Sequence, residues 1–254
     1  MATLYATVWR WSPPSGVREV QKAGDRPRIV EVGAVSSRPH AARFRELAAH
    51  RCPAPGELAL ALAAEFGRFD PAAGNALLDD GARRLFGVAE LEPMGQAERL
   101  AVVMDCELGL GVSDDYGPEA VLLDRVLESL RGHPLLLAVV GRELAVRAGA
   151  SAAVFVSRTR WFVGLTGGPQ PVMLDARLNP AIDRAPASVR GLCAHEVAYC
   201  VLTRLEQRLI ACECLFEARK ANRLRDALPV GTAGHDRSGE RASDHRGDDG
   251  LQLS

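Results

Sequence analysis

GHPLLLAVVGRELAVRAG at residues 132–149 decides the fold, because the chain changes its period on leaving it. The first half of this stretch is apolar on nearly every side, the pattern of a central helix buried all round. Gly149 is placed to end that helix as a C-terminal cap. Three short β-rich runs follow at once: AAVFVSR (152–158), RWFVGLT (160–166) and PVMLDA (171–176). Gly167-Gly168-Pro169-Gln170 is a turn signal that makes a hairpin of the last two. Trp161 and Asp175 each stand seven residues from Gly168, which predicts that they lie side by side across that hairpin.

Upstream, the period is helical. ARFRELAA (42–49), PGELALALAAEFG (55–67), NALLDDGARRLFG (75–87) and QAERLAVVMDCELG (96–109) carry apolar residues at three- and four-residue spacing. Pro118 sits where the first turn of a further helix, PEAVLLDRVLESLR (118–131), is expected. Downstream, residues 180–188 read as a linker and 189–228 as one long helix or a helical hairpin, ending at Pro229. The expected fold is therefore α+β: a helical part over 41–131, a central buried helix packed on a small antiparallel sheet over 132–180, and C-terminal helices over 189–229. Residues 1–40 read as an N-terminal extension, in which LYATVWRW (4–11) and RIVEVGAV (28–35) are two short strands of a possible β-hairpin. Residues 230–254, with five glycines and no aromatic, are too polar to offset their ordering entropy and read as a disordered tail.

The 254 residues are 47% hydrophobic and 25% charged, enough for a sizeable core and typical of a soluble domain. Thirty-one basic residues face 32 acidic ones, which argues against a polyanionic partner such as nucleic acid or an anionic membrane. Only Lys22 and Lys220 are lysines, so Schiff-base or lysine-base chemistry has two candidates at most. The N-terminus lacks a basic region followed by an apolar run, and no stretch is long enough to span a bilayer. A cytoplasmic protein is the expectation, with its six cysteines (52, 106, 193, 200, 212 and 214) as reduced thiols.

One helix against an antiparallel sheet, with special positions at the helix start and on neighbouring strands, is the transglutaminase/papain-like core plan. The chain resembles the SirB-type branch of transglutaminase-like proteins. The likeness is carried by ELGLG (107–111), by YGPEAVLLDRVLESLRGHPLLLAVVGRELAVRAG (116–149) and by the RWFVGLT…VMLDA hairpin. The upstream helices and the segment from LCAHEVAY (192–199) to NRLRDALP (222–229) resemble that branch's flanking helices. In catalytic relatives the central helix begins with a nucleophilic Cys, which the helix dipole favours as thiolate, and His and Asp on adjacent strands complete the relay. Carried over by position, the resemblance puts Pro134 at the Cys position, Trp161 at the His position and Asp175 at the Asp position. The branch's usual Gly-His-Phe has become Arg160-Trp161-Phe162, and its usual Asp-Pro has become Asp175-Ala176. The resemblance implies a scaffold whose Cys and His positions are lost, without transglutaminase, protease or amidase chemistry.

Other constellations carry a dull reading beside the sharp one. His133, next to Pro134, is expected near Asp175, as a general base, an anion ligand or a plain turn histidine. Arg160 beside Trp161 reads either as a stacked carboxylate-binding surface or as an ordinary strand edge. Cys193-x-His195, Cys200 and Cys212-x-Cys214 are the densest soft ligands, yet their helical spacing scatters them over several faces. Packing cysteines are the expected reading, with no metal and no cofactor. Gly164-Leu-Thr-Gly-Gly-Pro is a hairpin turn rather than a phosphate loop, and Asp79-Asp80, Asp105-x-Glu107 and Asp114-Asp115 sit where capping or solvation explains them.

The leading reading is a catalytically degenerate binding or regulatory module whose cleft, walled by His133, Pro134, Arg160, Trp161 and Asp175, takes a peptide or small acidic ligand. The alternative is an enzyme with rebuilt acid/base chemistry on His133 and Asp175, aided by Tyr116 or Arg160, in a biosynthetic pathway. A third is a structural partner docking another protein on its C-terminal helices. The space beside His133 separates the first two: filled by Trp161 it favours binding, and open to Asp175 it favours catalysis.

Overall fold

In the computed structural model the described residues are 38–67, 70–114, 117–158, 160–177, 182–184 and 188–229. The possible hairpin of the N-terminal extension, the C-terminal tail and Tyr116 lie outside them. Four helices come first: α1 (Arg38–Ala49), α2 (Pro55–Phe66), α3 (Pro71–Arg83) and α4 (Pro93–Val102), which runs into a π-helical turn at Val103–Glu107. Next are β1 (Gly111–Val112), a 3-10 turn (Pro118–Val121), α5 (Leu123–Ser129), β2 (Arg131–Gly132) and α6 (Pro134–Arg147). The sheet strands β3 (Ala152–Ser157), β4 (Arg160–Leu165), β5 (Val172–Asp175), β6 (Ile182–Arg184) and β7 (Arg190–Leu192) precede α7 (Ala194–Ala211) and α8 (Leu215–Asp226). The fold is α+β.

Helix α6 is the centre of the core: every residue from Pro134 to Gly141 is buried. Leu135, Leu136, Leu137, Val139 and Val140 each contribute about 1.5–3 kcal/mol by leaving water. Gly149 follows the helix at φ 90°, a conformation that favours glycine and ends the helix where the sequence places its cap. Gly141 lets the sheet come close, since a Cβ there would stand 2.8 Å from both Val163 Cγ2 and Met104 Sδ. Gly81 on α3 does the same toward Leu144, whose Cδ2 would lie 2.7 Å from an added Cβ. Buried Glu143 of α6 accepts the Gly56 N–H at 3.0 Å and so fixes the start of α2.

The sheet runs β6-β5-β4-β3-β7, antiparallel throughout. Two of its strands depart from the expected layout. β6 lies in the stretch read as linker, and β7 lies at the start of the stretch read as C-terminal helices. Both are three residues long and carry charged residues, too short to show a period-2 pattern. The single helix expected over 118–131 is broken at Leu122, whose backbone is extended between the 3-10 turn and α5. The C-terminal helices form the hairpin alternative, turning at Glu213 with φ 59°.

The register corrects the expected neighbour of Asp175. β4 and β5 pair Leu165 with Val172 and Phe162 with Asp175, so the hairpin centre falls between Gly168 and Pro169 rather than on Gly168. Trp161 instead faces Ala176, whose N–H donates to the Trp161 carbonyl at 2.9 Å. A shift of one residue exchanges the faces of a strand. Trp161 therefore points to the helix-packed side with Val163 and Leu165, and Asp175 to the other side with Phe162.

Candidate functional site

At the start of α6, His133 takes the N-cap position in extended backbone, and its Nδ1 accepts the Leu135 N–H at 3.1 Å. That role leaves the ring proton on Nε2. Pro134 follows at the first helical position, where its missing N–H costs nothing, and it is buried. No nucleophile stands at the head of this helix. Trp161 is 5% exposed and meets the His133 ring nearly edge to face, with centroids 6.4 Å apart and planes at 71°. The buried indole thus packs directly against the imidazole at the helix start.

A cationic group surrounds this pair. The Arg204 guanidinium lies over the Trp161 ring at 5.7 Å, a cation–π contact from α7. Arg208 follows one turn along α7, and Arg177 follows Ala176, the residue opposite Trp161. Burial of His133, reinforced by the charges of Arg204, Arg208 and Arg177, holds its pKa down to about 4, so the imidazole is neutral near pH 7. Arg177 and Arg204 form no ion pair among the described residues. Arg204 and Arg208 stand four residues apart on α7, so both charges lie toward the same helix face.

Asp175 is engaged elsewhere. Its Oδ2 accepts from Arg160 Nε at 3.1 Å and from Arg160 Nη2 at 2.6 Å, while its Oδ1 accepts the Arg177 N–H at 2.9 Å. Arg160 also lies over the Phe162 ring at 5.1 Å. The expected cleft is thus divided by the sheet. His133, Pro134 and Trp161 are together on the helix side, and Arg160 and Asp175 are together on the other. The expected pairing of His133 with Asp175 is overturned by the pleat, and the Arg160–Trp161 stack by the alternation of the two side chains.

The soft-ligand cluster also separates. His195 is buried, with Nε2 2.9 Å from the Ala48 carbonyl, tying α7 to α1. Cys193 caps α7, its Sγ accepting the Glu196 N–H while Glu196 returns a bond from the Cys193 N–H. Among the described residues no three His, Cys, Asp or Glu side chains converge as metal ligands. No helix among the described residues is long and apolar enough to cross a membrane. Of the paired carboxylates, Asp79 binds Arg147, Asp80 binds Arg83 and Glu107 binds Arg99.

Sequence reading missed Arg177, Arg204 and Arg208. The only signal was the four-residue spacing of Arg204 and Arg208 in RLEQR, common on any solvated helix. Compared with protein-family models, curated proteins and solved structures, the chain matches none.

Proposed function

We propose that the chain is a catalytically silent, transglutaminase-like binding module that holds a carboxylate-bearing ligand, a peptide or a small acid, at the head of α6. The observation that carries this reading is the seating of Trp161 against His133, with the Arg204 guanidinium over the indole. It supports a site without a working base, with cationic donors at its edge. Arg177 is exposed and Arg204 half-buried, so both reach solvent at the rim of a buried aromatic pair. Guanidinium groups bind carboxylates through two parallel hydrogen bonds, and a nearby helix N-terminus adds to the attraction. A cytoplasmic, regulatory setting belongs to the same proposal.

The competing enzyme needs His133 and Asp175 on one face, and the β4–β5 register supports the opposite arrangement. Calorimetric titration with tetraglutamate tests the binding reading. Wild-type protein is expected to bind it at low salt, more weakly as salt rises, and at least about tenfold more weakly in the Arg177→Ala/Arg204→Ala variant. Binding that ignores both salt and these substitutions, or ester hydrolysis abolished by His133→Ala, would overturn it.

A further inference from the structure

The C-terminal hairpin leaves an open groove between α7 and α8, about 460 Å³ in volume, on its outward side. Buried Ala218 forms part of the floor, and Ile210 and Leu215 line the end nearest the turn at 52% and 57% exposure. Phe216, 72% exposed, follows Leu215 on α8 outside the groove lining. Single exposed apolar residues are ordinary, but two large ones lining the same end of one groove, with a third next to them in the chain, make a contact surface.

Charge on the groove is one-sided. Glu206 on its α7 wall is neutralised by Arg225. Arg219 and Arg223 line the α8 wall, four residues apart on the face that begins with Leu215, and neither has an ion pair among the described residues. Two like charges at that spacing repel, and a carboxylate partner relieves the repulsion. Along α8 the order is therefore apolar, cationic, cationic, at intervals of one helical turn.

We propose that this groove docks an amphipathic helix of a partner protein, apolar where it meets Ile210, Leu215 and Phe216 and acidic where it passes Arg219 and Arg223. A third helix laid between two antiparallel ones is the usual way such a face is covered, at interaxial distances of about 8–10 Å. The span from Leu215 to Arg223 sets the length of the match at about two and a half turns. This surface is independent of the site at the head of α6.

The test uses the full chain and a fluorescent, stapled three-turn helix with leucines at three- and four-residue spacing and glutamates along one flank. Its counterpart carries lysines in place of the glutamates. The glutamate helix is expected to bind, and Arg219→Glu/Arg223→Glu to weaken it about tenfold or more while gaining affinity for the lysine helix. That exchange also shows that the variant is folded. Photocrosslinking from p-benzoylphenylalanine at Phe216 is expected to capture the glutamate helix. Absence of binding, equal affinity for the two helices, or a crosslink to a second copy or within the same chain would each overturn the proposal.

Discussion

Phe162, not Trp161, stands opposite Asp175 across the β4–β5 ladder. This one-residue relationship puts the acidic position of the resembled relay on the far side of the sheet from the helix start. It also gives Asp175 a structural partner in Arg160, with 4% of the carboxylate side chain exposed against 44% of the arginine.

Because Asp175 is buried and Arg160 is not, removing Arg160 leaves an uncompensated buried charge. Arg160→Ala is expected to destabilise the fold by about 2 kcal/mol, the half-exposed guanidinium lowering the cost of a fully buried pair. Asp175→Asn, which keeps an acceptor for the Arg177 N–H, should cost less. Urea denaturation of the two variants measures both, and a larger loss from Asp175→Asn would contradict the assignment.

The pKa of His133 falls from 6.5 to about 4 on folding, so the native state binds fewer protons than the unfolded chain between these values. Its contribution to stability is complete above pH 6.5 and is lost as pH falls toward 4, on the order of 3 kcal/mol in all. His133→Asn keeps an N-cap acceptor and does not titrate. Urea midpoints measured across this range should fall steeply for the wild type and more shallowly for the variant.

Asp124 is 2% exposed, and its Oδ1 has no hydrogen-bond partner among the described residues. Burial raises its carboxyl pKa against the opposing pull of the Arg125 N–H and guanidinium. The native state therefore holds the proton more tightly, and ionisation costs stability as pH rises above the unfolded value of 3.8. Asp124→Asn should gain about 1 kcal/mol at neutral pH and lose that advantage in acid. Equal gains at both pH values in thermal melting would contradict this account.

Gly141 marks the closest approach of α6 to its neighbours. Gly141→Ala must displace Val163 or Met104 and is expected to cost about 1–3 kcal/mol, despite the better helix propensity of alanine. Combining it with Val163→Ala should cost less than the sum of the two single changes, which chemical denaturation can resolve.

The α+β plan was legible where burial writes a strong period. Residues 132–149 show the central helix because nearly every side is apolar, and 152–176 show three strands because their β-rich runs alternate with turn signals. β6 and β7 were not legible, since three charged residues in pairing positions look like a loop until a neighbouring strand supplies the hydrogen bonds. The sequence places His133 and Pro134 at the start of the central helix, where α6 begins, but not the charges around them. Arg177 and Arg204 come together only through the sheet register and the packing of α7, and a hairpin centre misplaced by half a residue sent Asp175 to the wrong face.

The central claim is a silent locus at the head of α6, ringed by arginines that hold an anion. His133 reports on both halves, because its proton affinity depends on its burial beside Trp161 and on the charges of Arg204, Arg208 and Arg177. The measurement is the NMR titration of its imidazole, free and with saturating tetraglutamate. The account predicts a pKa of about 4 in the free protein that moves upward when the anion offsets the guanidinium charges. An imidazole that titrates near the ordinary histidine value, or whose pKa the anion leaves unmoved, would contradict it.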